Sequence, residues 1–554
     1  MSYLTRIVRR PAGQLEQLRP DQVANSEGGY VFPVDPWTRL RRFLILGSEG
    51  GSFYAGERDL TAESTAALDE CIALDGARVV AEIVAISEAG RAAKNDPAVF
   101  ALARAAAADD QATRRAALAA LPQVCRTSTH LFQLIVFAAA WRGWGRALRR
   151  AVGAWYANRP IDRLAYQAVK YRNREGMTHR DVLRLAHPGA AVTAGNPTVD
   201  VSGEQARLFE WIVRGGEADG LPRIVEGYLR AQAAATAAEA AALVRAYDLP
   251  REALPSQHLA DAAVWGALLE RMPMTAMIRN LATMTRVGLL TPGSEASDLV
   301  VARLADGERL VRARIHPIAV LIAARTYAAG HGVRGRGMWN PVTAVVDALD
   351  GAFYRAFGNV TSSGARTLLA LDVSGSMAFS PIAGVPDLSA REASAAMALV
   401  TLAAEAKTEV VGFHAGRGGW TARKHGRFAG RADGLTPLDL SPRLRLDDAV
   451  ARISGLPFGG TDCALPMLYA LERGRSVDTF VIYTDSETWA GGIHPVEALR
   501  RYRAATGFAA RLIVVGMVAN RFSIADPNDA GMLDVVGFDT STPEVIAGFS
   551  RREL

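Results

Sequence analysis

Two contrasting patterns in one chain predict a helical-repeat region followed by an α/β domain with a doubly wound parallel sheet. Up to residue 363 the sequence is a succession of Ala/Leu-rich segments with apolar residues three and four apart. From Gly364 onward, short apolar runs alternate with amphipathic stretches, the signature of parallel strands joined by helices. The chain has 554 residues, 49% hydrophobic and 22% charged, enough for more than one packed core and too apolar for a disordered protein.

In the first part, segments such as TAESTAALDECIALDGARVVAEIVAISEAGRAAKN and AVFALARAAAADDQATRRAALAALPQVCRT read as helices. Breaks are expected at Gly76, Pro97, Pro122, Pro160, Pro188, Pro222, Pro250, Pro273 and Pro317. Elements of this length joined by short turns suggest stacked helical hairpins of the HEAT type, although no strict internal repeat is visible. Thr178 is an expected N-cap, with Asp181 as its acidic partner three residues on.

In the second part, TLLALD (367–372), EVVGFH (409–414), TFVIYTD (479–485) and RLIVVGM (511–517) are expected strands. Helices are expected at 389–407 and near 495–505, and the boundary between the parts near Ser362–Arg366. The first strand ends in Asp372-Val373-Ser374-Gly375-Ser376, which places a carboxylate and two hydroxyls in one tight loop. Hard oxygen donors of this kind suit Mg²⁺ or Mn²⁺. Gly459-Gly460-Thr461-Asp462 supplies a further hydroxyl, and Thr484-Asp485 ends another strand with a second carboxylate. This DxSxS loop, distant Thr and strand-end Asp resemble a von Willebrand factor A domain with a metal-ion-dependent adhesion site. The resemblance implies direct ligation by Ser374, Ser376 and Thr461, ligation by Asp372 and Asp485 directly or through water, and one position open to an acidic oxygen of a protein ligand.

The net charge of +6 is unevenly distributed. From Arg366 to the end there are 20 basic and 21 acidic residues, whereas residues 1–365 hold 43 and 36. Between Trp141 and His187 there are eleven Lys/Arg against Asp162, Glu175 and Asp181, with Trp141, Trp144, Trp155, Tyr156, Tyr166 and Tyr171 interleaved. Phosphate neutralisation beside stacking rings is what an RNA surface needs, although a basic run also serves other polyanions or is simply solvated. Lys170, Arg172 and Arg174 fall in a turn before the helix beginning near Thr178, and His187 at that helix's end.

Longer stretches carry a wider resemblance: NSEGGYVFPVDPWTRLRRFLILGSEGGSFY (25–54), VCRTSTHLF (124–132), KYRNREGMTHRDVLRLAHP (170–188), MPMTAMIRNLATMTR (272–286), GGTDCALPM (459–467) and YTDSETWAGGIHP (483–495). The chain is similar to the Ro (SS-A) autoantigen family, bacterial branch, from about residue 25 to near the C-terminus. The resemblance implies an N-terminal segment (1–24), a ring-shaped helical-repeat TROVE domain (25–363) and an A-type domain (364–554). It further implies Y RNA bound on the outer surface by Lys170, Arg174 and His187, with Arg172, His179 and Arg180 beside them. Single-stranded 3′ ends of misfolded or structured RNA would enter a basic central hole. An exoribonuclease resembling polynucleotide phosphorylase would act as partner in RNA quality control, rRNA maturation and stress survival. The turn at Arg172-Asn173 and Glu175 and the loop Phe379–Leu388 depart from the animal members' pattern.

Other readings stay open on the residues alone. One is a metal-dependent protein-interaction module with no RNA role, resting on the five metal-site residues. Another is a nuclease, which the lack of a general base or second metal cluster disfavours. The expectation is therefore a non-catalytic monomer. His179-Arg180-Asp181 mimics a kinase loop but lacks the later Asn and any Gly-rich loop. Cys71, Cys125 and Cys463 have no paired spacing, so neither a disulfide framework nor a zinc site is expected, and a cytoplasmic location fits best. No stretch of 18 apolar residues lacks charge, which argues against a membrane span, and the basic N-terminus has no apolar signal core.

Overall fold

The structure is a computed structural model. It describes residues 12–25, 28–47, 57–92, 94–188, 203–217, 219–313, 315, 317–331, 337–356, 362–382, 385–414, 434–456, 459–518, 522–536 and 542–552. Residues 1–11 of the expected segment 1–24, and residues 26–27 and 48–54 of the 25–54 stretch, therefore lie outside the described residues. The chain forms two compact units: Glu70–Ala356, and the first 69 residues together with Phe357–Leu554.

The helical unit runs through α2 (Glu57–Ala89, which the unit boundary crosses), α3 (Asp96–Ala106), α4 (Gln111–Val124), α5 (Ser128–Arg142), α6 (Arg146–Ala157) and α7 (Ile161–Lys170). It continues with α8 (His179–Ala186), α9 (Gly203–Arg214), α10 (Arg223–Ala233), α11 (Ala237–Tyr247), α12 (Ala262–Arg271) and α13 (Met274–Arg286). The last members are α14 (Glu295–Ala305), α15 (Gly307–Arg312), α16 (Pro317–Ala329) and α17 (Thr343–Arg355). Near neighbours in sequence pack together: α3 on α4 and α5, α10 on α11, α11 on α12, α16 on α17. This is the packing expected of helical repeats. The expected break at Gly76 is a kink inside α2, where Asp75 leaves helical geometry (φ −159°, ψ 86°). A Cβ on Gly76 would lie 1.9 Å from Thr113 Oγ1, so only glycine lets α4 approach this closely. Pro122 lies within the last turn of α4 rather than ahead of it.

The second unit is built on a six-stranded sheet. Its strands are β5 (Thr367–Asp372), β8 (Thr408–Phe413), β9 (Leu435–Pro437), β10 (Thr479–Thr484), β11 (Arg511–Gly516) and β13 (Met532–Val536), in the order β13-β11-β10-β5-β8-β9. Five strands are parallel; β9 runs antiparallel to β8, so the expected all-parallel sheet gains one antiparallel edge. β5, β8, β10 and β11 bury most of their residues, as strands covered on both faces must. Helices α18 (Gly375–Phe379), α19 (Ala390–Ala404), α20 (Leu446–Ser454), α21 (Leu465–Glu472), α22 (Pro495–Thr506) and α23 (Thr542–Ser550) flank it.

The expected partition 1–24, 25–363, 364–554 follows chain order, whereas the compact units do not. β1 (Val23–Ala24) pairs with β2 (Tyr30–Pro33), and β2 pairs with β12 (Phe522–Ser523). Val31 and Phe32 are buried with the core of the sheet unit. Helix α1 (Pro36–Leu46) adds Arg42, whose Nη2 contacts both oxygens of Asp534 at 2.7 and 2.8 Å. Apolar burial and sheet pairing thus attach the first part of the chain to the last.

Candidate nucleic-acid interface and metal centre

The basic window folds into α6, α7, a small hairpin and α8. Each helix hides an apolar face: Leu148, Val152, Trp155 and Tyr156 of α6, Leu164, Ala165, Ala168 and Val169 of α7. The cations are left on the outside. β3 (Asn173–Arg174) and β4 (Met177–Thr178) pair across the two-residue turn Glu175-Gly176, with φ of 52° and 72°. Two positive φ values are what a tight hairpin requires, and Glu175 accepts strain to provide one.

This hairpin gathers the cations named from the sequence. Lys170 Nζ lies 3.3 Å from Tyr166 Oη and 5.3 Å from the ring centroids of Tyr166 and Tyr171. Arg174 extends over Tyr171 at 6.0 Å, and Arg172 over Tyr228 at 4.8 Å. Cation–π contact holds each charge outward without neutralising it. Arg180 is exposed on α8. The capping box is present: Thr178 Oγ1 accepts from Asp181 N at 3.2 Å and the Asp181 carboxylate from Thr178 N at 3.0 Å.

His187 is exposed and closes α8 in the left-handed conformation (φ 45°, ψ 61°). Two residues of the basic window hold that end in place: Trp144 Nε1 donates to Leu185 O at 3.1 Å and Arg149 Nε to Ala186 O at 3.2 Å. A cation on the last carbonyls also complements the helix dipole.

His179 does not join this surface. It is 3% exposed, with Nδ1 2.8 Å from Tyr156 Oη and its ring edge-on to Phe132. Burial pushes its pKa down to about 4. Two of the aromatics expected to stack on bases are core residues as well. Trp155 and Tyr156 are buried, and Trp155 Nε1 donates to Cys125 O at 2.7 Å. Apolar surface area wins over proximity in sequence. Trp141, Trp144, Tyr166 and Tyr171 keep accessible edges.

At the carboxyl edge of the sheet, β5 and β10 lie side by side with Leu371 opposite Tyr483, so Asp372 and Asp485 end adjacent strands. Asp372 Oδ1 accepts from Ser374 N at 2.9 Å and Oδ2 from Thr484 Oγ1 at 2.7 Å. Ser374 Oγ and Ser376 Oγ are 3.0 Å apart. Asp372, Ser374, Ser376, Thr461 and Asp485 are all buried. Burial, with Asp372 close by, pushes the Asp485 carboxyl up to about 7, and burial also raises Asp372. Arg391 Nη2 serves the carbonyls of Val373 and Ser374 at 2.9 and 3.0 Å and so shapes the loop.

Two buried carboxylates whose charges oppose each other, beside hydroxyl oxygens, fit a hard divalent cation, which would relieve both burial and repulsion. Among the described residues no group of three His, Cys, Asp or Glu forms a softer alternative site. Cys463 is buried, and burial raises its thiol well above the ordinary range.

The sequence reading missed the brace behind these loops. Gln14 Nε2 donates to Asp462 Oδ1 at 2.7 Å and to Ile493 O at 2.9 Å, and Gln14 Oε1 accepts from Thr488 Oγ1 at 2.5 Å. Asn25 Nδ2 donates to Thr488 O at 2.9 Å. The carbonyl of Thr461 receives the amides of Trp489 and Ala490 at 3.1 and 3.0 Å. The Thr461 and Asp485 loops are thereby tied to each other and to the N-terminal segment. A buried-polar Gln in a loop has no local signal that could have revealed this.

A helical domain joined to a von Willebrand A-type sheet with a hydroxyl–carboxylate loop defines the class: a TROVE protein with an A-type domain. Residues 23–211 and 249–326 match the TROVE domain, and residues 366–550 match the Ro60 vWA domain. The chain belongs to the Ro60 family. It is 43% identical to the RNA-binding protein RO60 of Deinococcus radiodurans over 98% of this chain and 97% of that protein. It is 36% identical to the RNA-binding protein RO60 of Caenorhabditis elegans, over 98% of this chain and 92% of that one. The crystal structure of the Deinococcus radiodurans RO (RSR) protein is similar, with a TM-score of 0.70 at 42% identity, covering 94% of this chain and all of that one. Among the described residues no helix is long and apolar enough to cross a membrane.

Proposed function

We propose that this chain is an RNA-binding scaffold that holds a Y RNA on the surface formed by Lys170, Arg172, Arg174, Arg180 and His187. One observation carries the reading: a tight hairpin and a helix end present unneutralised cations and an exposed imidazole from a rigid helical frame. The relatives named as RNA-binding proteins support it. Lysine and arginine supply phosphate contacts, and the exposed His187 ring adds a directional hydrogen-bonding nitrogen. Affinity is dominated by phosphates and falls steeply with salt. Such a scaffold also takes single-stranded 3′ ends of misfolded or structured RNA and passes them to an exoribonuclease, in quality control or rRNA maturation. It performs no bond cleavage itself.

The A-type unit carries the second part of the proposal. Ser374, Ser376 and Thr461, with Asp372 and Asp485, would hold Mg²⁺ (or Mn²⁺), which supplies a Lewis-acidic position for an acidic side chain of a protein partner. The buried carboxylate pair is the observation that favours it.

Replacing Lys170 and Arg174 together by Ala is expected to weaken Y RNA binding by about tenfold or more in a gel shift at about 150 mM salt, with thermal stability nearly unchanged. Unchanged binding would sink the site. Asp372→Ala is expected to abolish Mg²⁺ binding measured by calorimetry while leaving Y RNA affinity intact. Loss of both together would contradict separate sites.

A further inference from the structure

A cleft of about 490 Å³ opens at the amino-terminal edge of the six-stranded sheet, at the opposite strand ends from Asp372 and Asp485. Ser363, Asp478, Phe508, Arg511, Ser550 and Arg552 line it. Its volume suits a small ligand. Its charge is unbalanced. Asp478, the acid in its lining, is engaged in a two-point pair with Arg366, Oδ2 to Nε at 2.9 Å and Oδ1 to Nη2 at 2.5 Å. The Arg366 guanidinium in turn lies 4.7 Å from the Phe508 ring.

Neither of the two arginines in the lining has a carboxylate partner among the described residues. Arg511 donates to the Phe549 carbonyl and rests 4.5 Å from the Phe549 ring. Burial, with the positive charges of Arg552 and Arg503, pushes its guanidinium below the ordinary range. The Arg552 side chain makes no hydrogen bond or ion pair with the described residues, although its backbone N–H donates to Phe549 O at 3.1 Å. Arg552 also stands at φ 68°, a costly conformation for a residue with a side chain, just past the end of α23. Two like charges are thus brought to one cleft with the Ser363 hydroxyl beside them, and among the described lining residues the one acid, Asp478, is held by Arg366.

We propose that this cleft binds a phosphate-bearing small anion, with Arg511 and Arg552 as its charge partners and the Ser363 hydroxyl as a donor, since the Ser550 hydroxyl already donates to Ile546 O at 2.7 Å. A planar guanidinium matches phosphate oxygens in a way an ammonium does not. The cleft is larger than a phosphate, so it also accommodates a nucleoside-sized group attached to one. The inference does not depend on the RNA surface or the metal loop, which lie on other residues.

Calorimetric titration of the full chain in EDTA tests it, with inorganic phosphate, adenosine monophosphate and adenosine as probes. Phosphate and adenosine monophosphate are expected to bind and adenosine is not. An about tenfold preference for the monophosphate identifies the ester as the ligand, and equal affinities identify free phosphate. Arg552→Gln is expected to weaken binding about tenfold, at unchanged melting temperature because the side chain is exposed. Arg174→Ala, on the other unit, is expected to leave it unchanged, which separates this cleft from the RNA surface. Absence of binding by both phosphates at about 1 mM, or full affinity in Arg552→Gln, overturns the proposal.

Discussion

His179 shows how a residue immediately after the exposed hairpin becomes part of the core. Its neighbours in sequence suggested an RNA contact, but its ring is packed between Phe132 and Tyr156. The pKa held down to about 4 by burial, against 6.5 ordinarily, makes it a stability determinant. Between those values the unfolded chain binds a proton at this ring and the folded chain does not. Stability is therefore fully present above about 6.5 and lost as pH falls toward 4, by about 1.4 kcal/mol per pH unit. His130, also pushed down to about 4 by burial, acts in the same direction. Urea unfolding of the helical unit at pH 7 and pH 5 is expected to show a loss that shrinks by about 2 kcal/mol in His179→Gln. An identical pH dependence in the variant would refute this assignment. The exposed cations were legible because charge excess is a local property of sequence. The partition of the aromatics between surface and core was not, because it depends on which helix face meets a neighbour.

At the scale of elements, the metal loop was legible for a similar reason. Asp372, Ser374 and Ser376 are spaced within one strand-to-helix turn, and Asp485 ends a recognisable strand. Their supports were hidden. Thr484 reaches Asp372 across 112 positions, and Arg391 reaches the loop carbonyls from α19. Gln14 was the least visible, since a single glutamine in a segment outside the sheet carries no periodicity. It is completely buried and satisfies three groups in the loops behind the metal site. Truncating it removes three buried hydrogen bonds at once, so Gln14→Ala is expected to lower stability by about 3 kcal/mol in guanidinium unfolding followed through the sheet unit. A loss below about 0.5 kcal/mol would mean that the brace contributes nothing. Gly29 supports the same contact, since a Cβ there would lie 1.9 Å from Thr488 O.

Over the whole molecule, the succession of helices and then strands was readable in order, because periodicity of 3.6 and 2 is written locally. Which stretches share a core was not, because the closing contacts lie at the two ends of the chain. That arrangement has a consequence for how the protein is made. Gln14 meets Asp462, 448 positions later, and β2 finds its partner β12 later still. At ribosomal speeds of about 5–20 residues per second, β2 waits about 25–100 s before β12 exists. During that interval Val31 and Phe32, buried in the finished protein, have no sheet to enter, while the helical unit is already complete. A chain released early therefore displays an uncovered apolar strand with one open edge, a handle for chaperones and proteases. Finishing translation is what conceals it.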